Sequence, residues 1–125
     1  MAEIKRATRV AEGLREEVAM LLVKKLRDPR VQGAVVARVE MTDDLRNAKI
    51  YVRLLEGGDA ERQKDLLIGL DRAAGMIRTE ATRNLRLRVA PELKFFYDDG
   101  QDARTRVEEL LEEVRKDDKR TKSPG

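Results

Sequence analysis

The sequence predicts an α+β domain of two layers, in which helices cover one face of three strands. Three observations predict it. Apolar residues recur at three- and four-residue spacing over two long stretches, which marks helices with one buried stripe. Three shorter stretches alternate apolar and polar residues, which marks strands with one covered and one wetter face. Turn residues separate these stretches in the order helix, strand, strand, helix, helix, strand, with a short helix after the last strand. The 125 residues amount to one domain. Residues 1–114 are expected to form it. Residues 115–125 hold Lys116, Lys119, Arg120, Lys122 and Ser123-Pro124-Gly125 without an aliphatic or aromatic side chain, and are expected to be a disordered charged tail.

Each element has its own reason. Ala7, Val10, Ala11, Leu14, Val18, Leu21, Leu22 and Leu26 form the stripe of the first helix, with Thr8 as a cap unless the helix begins earlier. It stops at Asp28-Pro29-Arg30, because the residue before a proline is pushed out of the α region. Val35, Ala37, Val39 and Met41 alternate with Val36, Arg38 and Glu40 in the first strand. Ala48, Ile50, Val52 and Leu54 alternate with Lys49, Tyr51 and Arg53 in the second. The turn residues Thr42 to Asn47 between them predict an antiparallel hairpin. Asp59 caps a second helix with Leu66, Leu67, Leu70, Ala73, Ala74 and Ile77 on its apolar side. Gly75 is the expected kink or helix–helix join, followed by a third helix from about Met76 to Leu85. Pro91 opens the third strand, where Leu93, Phe95 and Tyr97 oppose Lys94 and Phe96. Val107, Leu110, Leu111 and Val114 line the short final helix, opposite Glu108, Glu109, Glu112 and Glu113.

Composition excludes several chemistries. With no cysteine there is no disulfide, thiol nucleophile or Cys-ligated metal. With no histidine the commonest general base and metal ligand are missing. No Gly-x-x-x-x-Gly-Lys loop, no nucleophile beside a base and no metal constellation stands in the sequence, so no catalytic residue, metal or cofactor is expected. No apolar run approaches the roughly 18 residues of a membrane span, and the N-terminus does not read as a signal peptide. A monomeric cytoplasmic protein is the expectation. Aromatic residues, at 3 %, are too few for a broad stacking platform.

Charge supplies the positive lead. Charged residues make up 41 % of the chain, and the net charge is +3. Residues 1–30 carry eight Lys/Arg against five Asp/Glu, and residues 72–98 carry six against three. The segments 31–71 and 99–125 are slightly acidic. Between Arg72 and Arg88 five arginines (Arg72, Arg78, Arg83, Arg86 and Arg88) meet one acid, Glu80. That pattern suits an RNA backbone, because guanidinium groups pair with phosphates bidentately and release counterions. Lys5, Arg6 and Arg9 stand at the start of the first helix, where cations oppose the helix dipole unless an anion compensates them. Arg38, Lys49, Tyr51, Arg53, Lys94 and Phe96 would share the outer sheet face, as an RNA contact or as ordinary cross-strand pairs. The competing reading is a protein-interaction module that docks a partner through the sheet edge or the acidic C-terminal helix, with the arginines merely solubilising.

Several segments together resemble the ribosome-binding factor A family, bacterial assembly factors of the small ribosomal subunit. They are Arg6 to Val10, Asp28-Pro29-Arg30, Val39 to Leu45, Ala48 to Val52, Leu70 with Ala73-Ala74-Gly75 and Ile77-Arg78, Leu87-Arg88, and Pro91 to Phe95 with Asp98. The likeness spans about residues 5 to 114. It implies a KH-like fold of type II topology without the usual Gly-x-x-Gly nucleic-acid loop. An Ala-x-Gly kink stands there instead, matched by Ala73 and Gly75. It further implies binding to immature small subunits, contact with their rRNA, and a role in late maturation, rRNA processing and cold adaptation. Arg78 and Arg88 fall on family-like positions and lead the RNA-binding candidates.

Overall fold

A computed structural model describes the chain's backbone from residue 2 to residue 98, and its side chains from Arg6 to Asp98. The expected final helix, the charged tail and the Lys5 side chain lie outside the described residues.

Helix α1 spans Ala2–Lys24. Asp28 ends the connection after it: its side chain accepts a 2.9 Å hydrogen bond from the Arg30 amide and caps a 3-10 turn over Pro29–Val31. Strands β1 (Ala34–Met41) and β2 (Asn47–Leu54) pair antiparallel, and β2 pairs parallel with β3 (Glu92–Tyr97), giving the order β1-β2-β3. Helix α2 (Ala60–Asn84), capped by the Asp59 side chain on the Arg62 amide, is the crossover that a parallel β2–β3 pair requires.

The core lies between the helices and one face of the sheet. Leu14, Val18, Leu21 and Leu22 of α1 and Leu66, Leu70, Ile77 and Ala81 of α2 meet Ala48, Ile50, Val52, Leu54 and Leu93. Each fully buried Leu or Ile contributes about 2 kcal/mol. This is the expected two-layer α+β domain, with strands two and three alternating as their sequences dictate.

Two expectations are corrected. The helices foreseen on either side of Gly75 are one: α2 runs unbroken through Ala73 and Gly75. Its buried positions Leu66, Leu70, Ile77 and Ala81 form one stripe that passes Gly75 without a phase change, and Gly75 itself is exposed. One helix across that stripe buries more than the roughly 1 kcal/mol that an interior glycine costs. In β1, Ala34 and Val36 pack on the core together with Val39 and Met41, in place of Val35 and Ala37. The register jumps between Val36, opposite Val52, and Arg38, opposite Tyr51, so Ala37 is a bulge and the facing changes there.

Candidate nucleic-acid interface

Three segments far apart in sequence meet at one end of the sheet: the start of α1, the β1–β2 turn and the loop between α2 and β3. They enclose a cleft of about 530 Å³ lined by Arg6, Asp43, Asp44, Leu45, Arg46, Leu87, Arg88 and Val89.

The turn is fixed by its own polar side chains. The Asp44 carboxylate accepts hydrogen bonds from the Thr42 hydroxyl at 2.7 Å and the Arg46 amide at 3.0 Å, and the Thr42 hydroxyl accepts one from the Asn47 amide at 3.1 Å. The Thr42 hydrogen bond, then the Arg46 amide, hold the Asp44 carboxyl below its ordinary range. Leu45 turns the corner in the left-handed region at φ 61°. The Arg46 carbonyl accepts a 2.8 Å hydrogen bond from the Glu92 amide, tying the turn to β3. Arg46 was no sequence candidate; its one signal is that it is the sole cation within the turn Thr42 to Asn47.

The α2–β3 loop is held just as firmly. The Leu87 amide donates to the Thr82 carbonyl and the Arg86 amide to the Arg83 carbonyl, the paired bonds of a Schellman ending. Arg86 occupies the left-handed position, φ 55°, which glycine usually fills. Farther on, the Arg78 guanidinium donates to the carbonyls of Pro91 at 2.8 Å and Ala90 at 2.9 Å, with Glu92 at 3.6 Å. Arg78 therefore staples α2 to the stretch that carries Arg88.

The sequence candidates thus separate. Arg6 and Arg88 meet in the cleft and are joined there by Arg46. Arg9 and Arg86 are exposed but are not among the cleft's lining residues. Arg83 is paired with Glu80, which also accepts a 2.9 Å bond from Lys25; that lysine and then Arg83 hold the Glu80 carboxyl below its usual range. Arg72 borders a different groove, with Lys64, Leu67, Ile68, Asp71 and Phe95, toward the opposite end of α2. The five arginines between 72 and 88 are therefore not one patch. A helix turns 100° per residue, so Arg72, Arg78 and Arg83 point different ways from its middle to its C-terminal turn, while Arg86 and Arg88 lie in the loop beyond it.

Arg6, Arg46 and Arg88 form no ion pair among the described residues, although Asp43 and Asp44 line the same cleft. Such guanidiniums can take phosphate oxygens in pairs. Among the described residues, no group of three or more His, Cys, Asp and Glu stands where it could hold a metal ion. No helix among them is long and apolar enough to cross a membrane.

The helix layer, the β1-β2-β3 order and the parallel crossover define a KH-like α+β domain. A family model described as Ribosome-binding factor A matches residues 6–111. The factor of that name from Sorangium cellulosum is 53 % identical over 113 residues, covering 90 % of each chain. The crystal structure of ribosome-binding factor A from Thermus thermophilus superposes with a TM-score of 0.63 at 24 % identity, over 73 % of this chain and 93 % of that one. A Thermus thermophilus homology model fitted into the cryo-EM map of a 30S complex gives 0.53 at 24 % identity, over 73 % and 89 %. The chain belongs to the ribosome-binding factor A family.

Proposed function

We propose that this protein binds immature small ribosomal subunits, contacts their rRNA through the cleft of Arg6, Arg46 and Arg88, and assists late maturation without catalysing a reaction. Lys5, Arg9 and Arg86, near the cleft in sequence, extend the same contact. The protein acts as a cytoplasmic monomer, and its role includes rRNA processing and growth in the cold. Membership of the family supports the process, and the relative fitted into a 30S complex supports the partner. One observation carries the site: three arginines converge from three segments on one cleft, where they outnumber its two carboxylates, Asp43 and Asp44, and form no ion pair among the described residues. The surplus cation, and three guanidiniums with donors not spent on ion pairs, favour a phosphate-bearing partner there.

Co-sedimentation with precursor subunits over a salt series tests the reading. Each lost phosphate contact should lower the salt slope by about 0.9. The double variant Arg46→Glu, Arg88→Glu should therefore bind more weakly and with a shallower slope by about two. Unchanged association by a folded double variant would discard the cleft. Association that survives both nuclease and high salt would favour the protein-docking alternative.

A further inference from the structure

We propose that the outer face of the sheet is a second RNA contact, one that takes an unpaired base of a single strand by stacking on Phe96. Register builds the feature. Arg38 lies opposite Tyr51, and Tyr51 opposite Phe96, so the three side chains form one row across β1, β2 and β3. The Arg38 guanidinium sits 3.8 Å from the Tyr51 ring centroid. The Tyr51 and Phe96 rings stack with centroids 5.4 Å apart and planes 27° from parallel. Tyr51 is thus flanked on both sides, and the row ends at Phe96, on an edge strand and 38 % exposed. A nucleobase laid on Phe96 continues the stack, and every base has a face for it.

Cations flank that row. Lys49 and Lys94 stand side by side in the next row, with the Lys49 ammonium 5.9 Å from the Phe96 centroid. Arg53 stands in the row on the other side, about 7 Å along the strand. Lys49, Arg53 and Lys94 form no ion pair among the described residues. The face also carries two carboxylates, and both are engaged: Glu40 pairs with Arg38, and Glu92 lies 3.6 Å from Arg78. A polyanion with aromatic units fits this surface; a duplex, whose bases are already stacked, does not. The bulge at Ala37 is what brings Arg38 onto this face. Four aromatic residues in the whole chain exclude a broad platform, but a single row needs only two.

Fluorescence anisotropy with labelled oligouridylate, oligoadenylate and a short RNA duplex, on the full chain, tests the proposal. Single strands should bind more tightly than the duplex. Phe96→Ala should weaken single-strand binding about five- to a hundredfold and leave duplex binding unchanged. Phe96→Tyr, which keeps the ring, should restore it, and Phe96→Leu, which keeps only bulk, should not. Lys94→Gln should lower the single-strand salt slope by about 0.7. Equal losses for strand and duplex, or none for Phe96→Ala, would overturn the stacking site. So would an acidic peptide that displaces the RNA and depends equally on Phe96, which would make the face a protein dock. The Arg46→Glu, Arg88→Glu variant keeps this surface intact and should retain Phe96-dependent binding. Failure here therefore leaves the cleft untouched, and failure of the cleft leaves this surface untouched.

Discussion

Replacing Arg78 by alanine separates a structural arginine from an RNA-binding one. Its guanidinium makes two hydrogen bonds to main-chain carbonyls, at 2.8 Å to Pro91 and 2.9 Å to Ala90. Pro91 is among the most fully buried residues, so water replaces that bond poorly. A hydrogen bond from a charged donor contributes about 1.5–3 kcal/mol. The side chain is 39 % exposed, which places the pair of bonds near the lower end, about 3 kcal/mol together. The Glu92 contact, with its carboxylate 66 % exposed, adds at most about 0.5 kcal/mol. For a domain of this size each kcal/mol moves the melting midpoint by about 4 °C, so Arg78→Ala should melt about 12 °C lower. Urea denaturation should show the same loss with an unchanged slope. Arg78→Lys, with one point donor in place of a planar fork, should recover less than half. An Arg78→Ala protein that melts like the parent but no longer joins precursor subunits would refute the staple and return this residue to the RNA.

Further outcomes follow from single positions. Gly75→Ala should gain up to about 1 kcal/mol, since the new methyl group meets nothing within 4 Å and the helix is continuous there. Gly69→Ala should lose about 1 kcal/mol net, because its methyl would sit 2.9 Å from buried Val31. Thermal melts of the two variants, moving in opposite directions, check both. Arg86→Gly should raise the melting midpoint by about 3–5 °C, by relieving a left-handed arginine. A lower midpoint would contradict that backbone assignment. The Asp28 carboxyl is held down to about 2 from an ordinary 3.8, first by the Arg30 guanidinium and next by the Arg30 amide. A depressed folded pKa favours folding while the group is ionised, so this contribution is complete above about pH 4 and lost as pH falls toward 2. Urea midpoints across that window should fall less steeply for Asp28→Asn than for the parent.

Much of the fold was written locally. Asp59 announces its cap because a short carboxylate reaches an amide three residues on, whereas Asp28, legible only as a helix stop, also caps the 3-10 turn that follows. Strands β2 and β3 keep their expected faces because neither carries a bulge, so even the run Phe95-Phe96-Tyr97 holds its period of two. Strand β1 misleads because Val35, Val36 and Ala37 are all apolar, and no local signal says which one the bulge will displace. Gly75 misleads because its cost is visible in the sequence, whereas the burial that outweighs it depends on partners elsewhere. At the site, five clustered arginines were legible as charge, but their separation over the faces of α2 and the loop that follows it was not. Arg46 was overlooked because it belongs to no cluster along the chain.

By itself, then, the amino-acid order determined the element types, the Asp59 cap of α2, the covered faces of two strands and the excess of cations, since each follows from neighbours within a few residues. Only tertiary structure decided which cations stand together. Arg6, Arg46 and Arg88 are brought into one cleft by the crossing of three segments, while Arg78, in the middle of the basic run, spends its guanidinium on the carbonyls of Ala90 and Pro91. The physical reason is range: capping and periodicity act over one or two turns, whereas convergence of charge depends on how distant segments pack around the shared core.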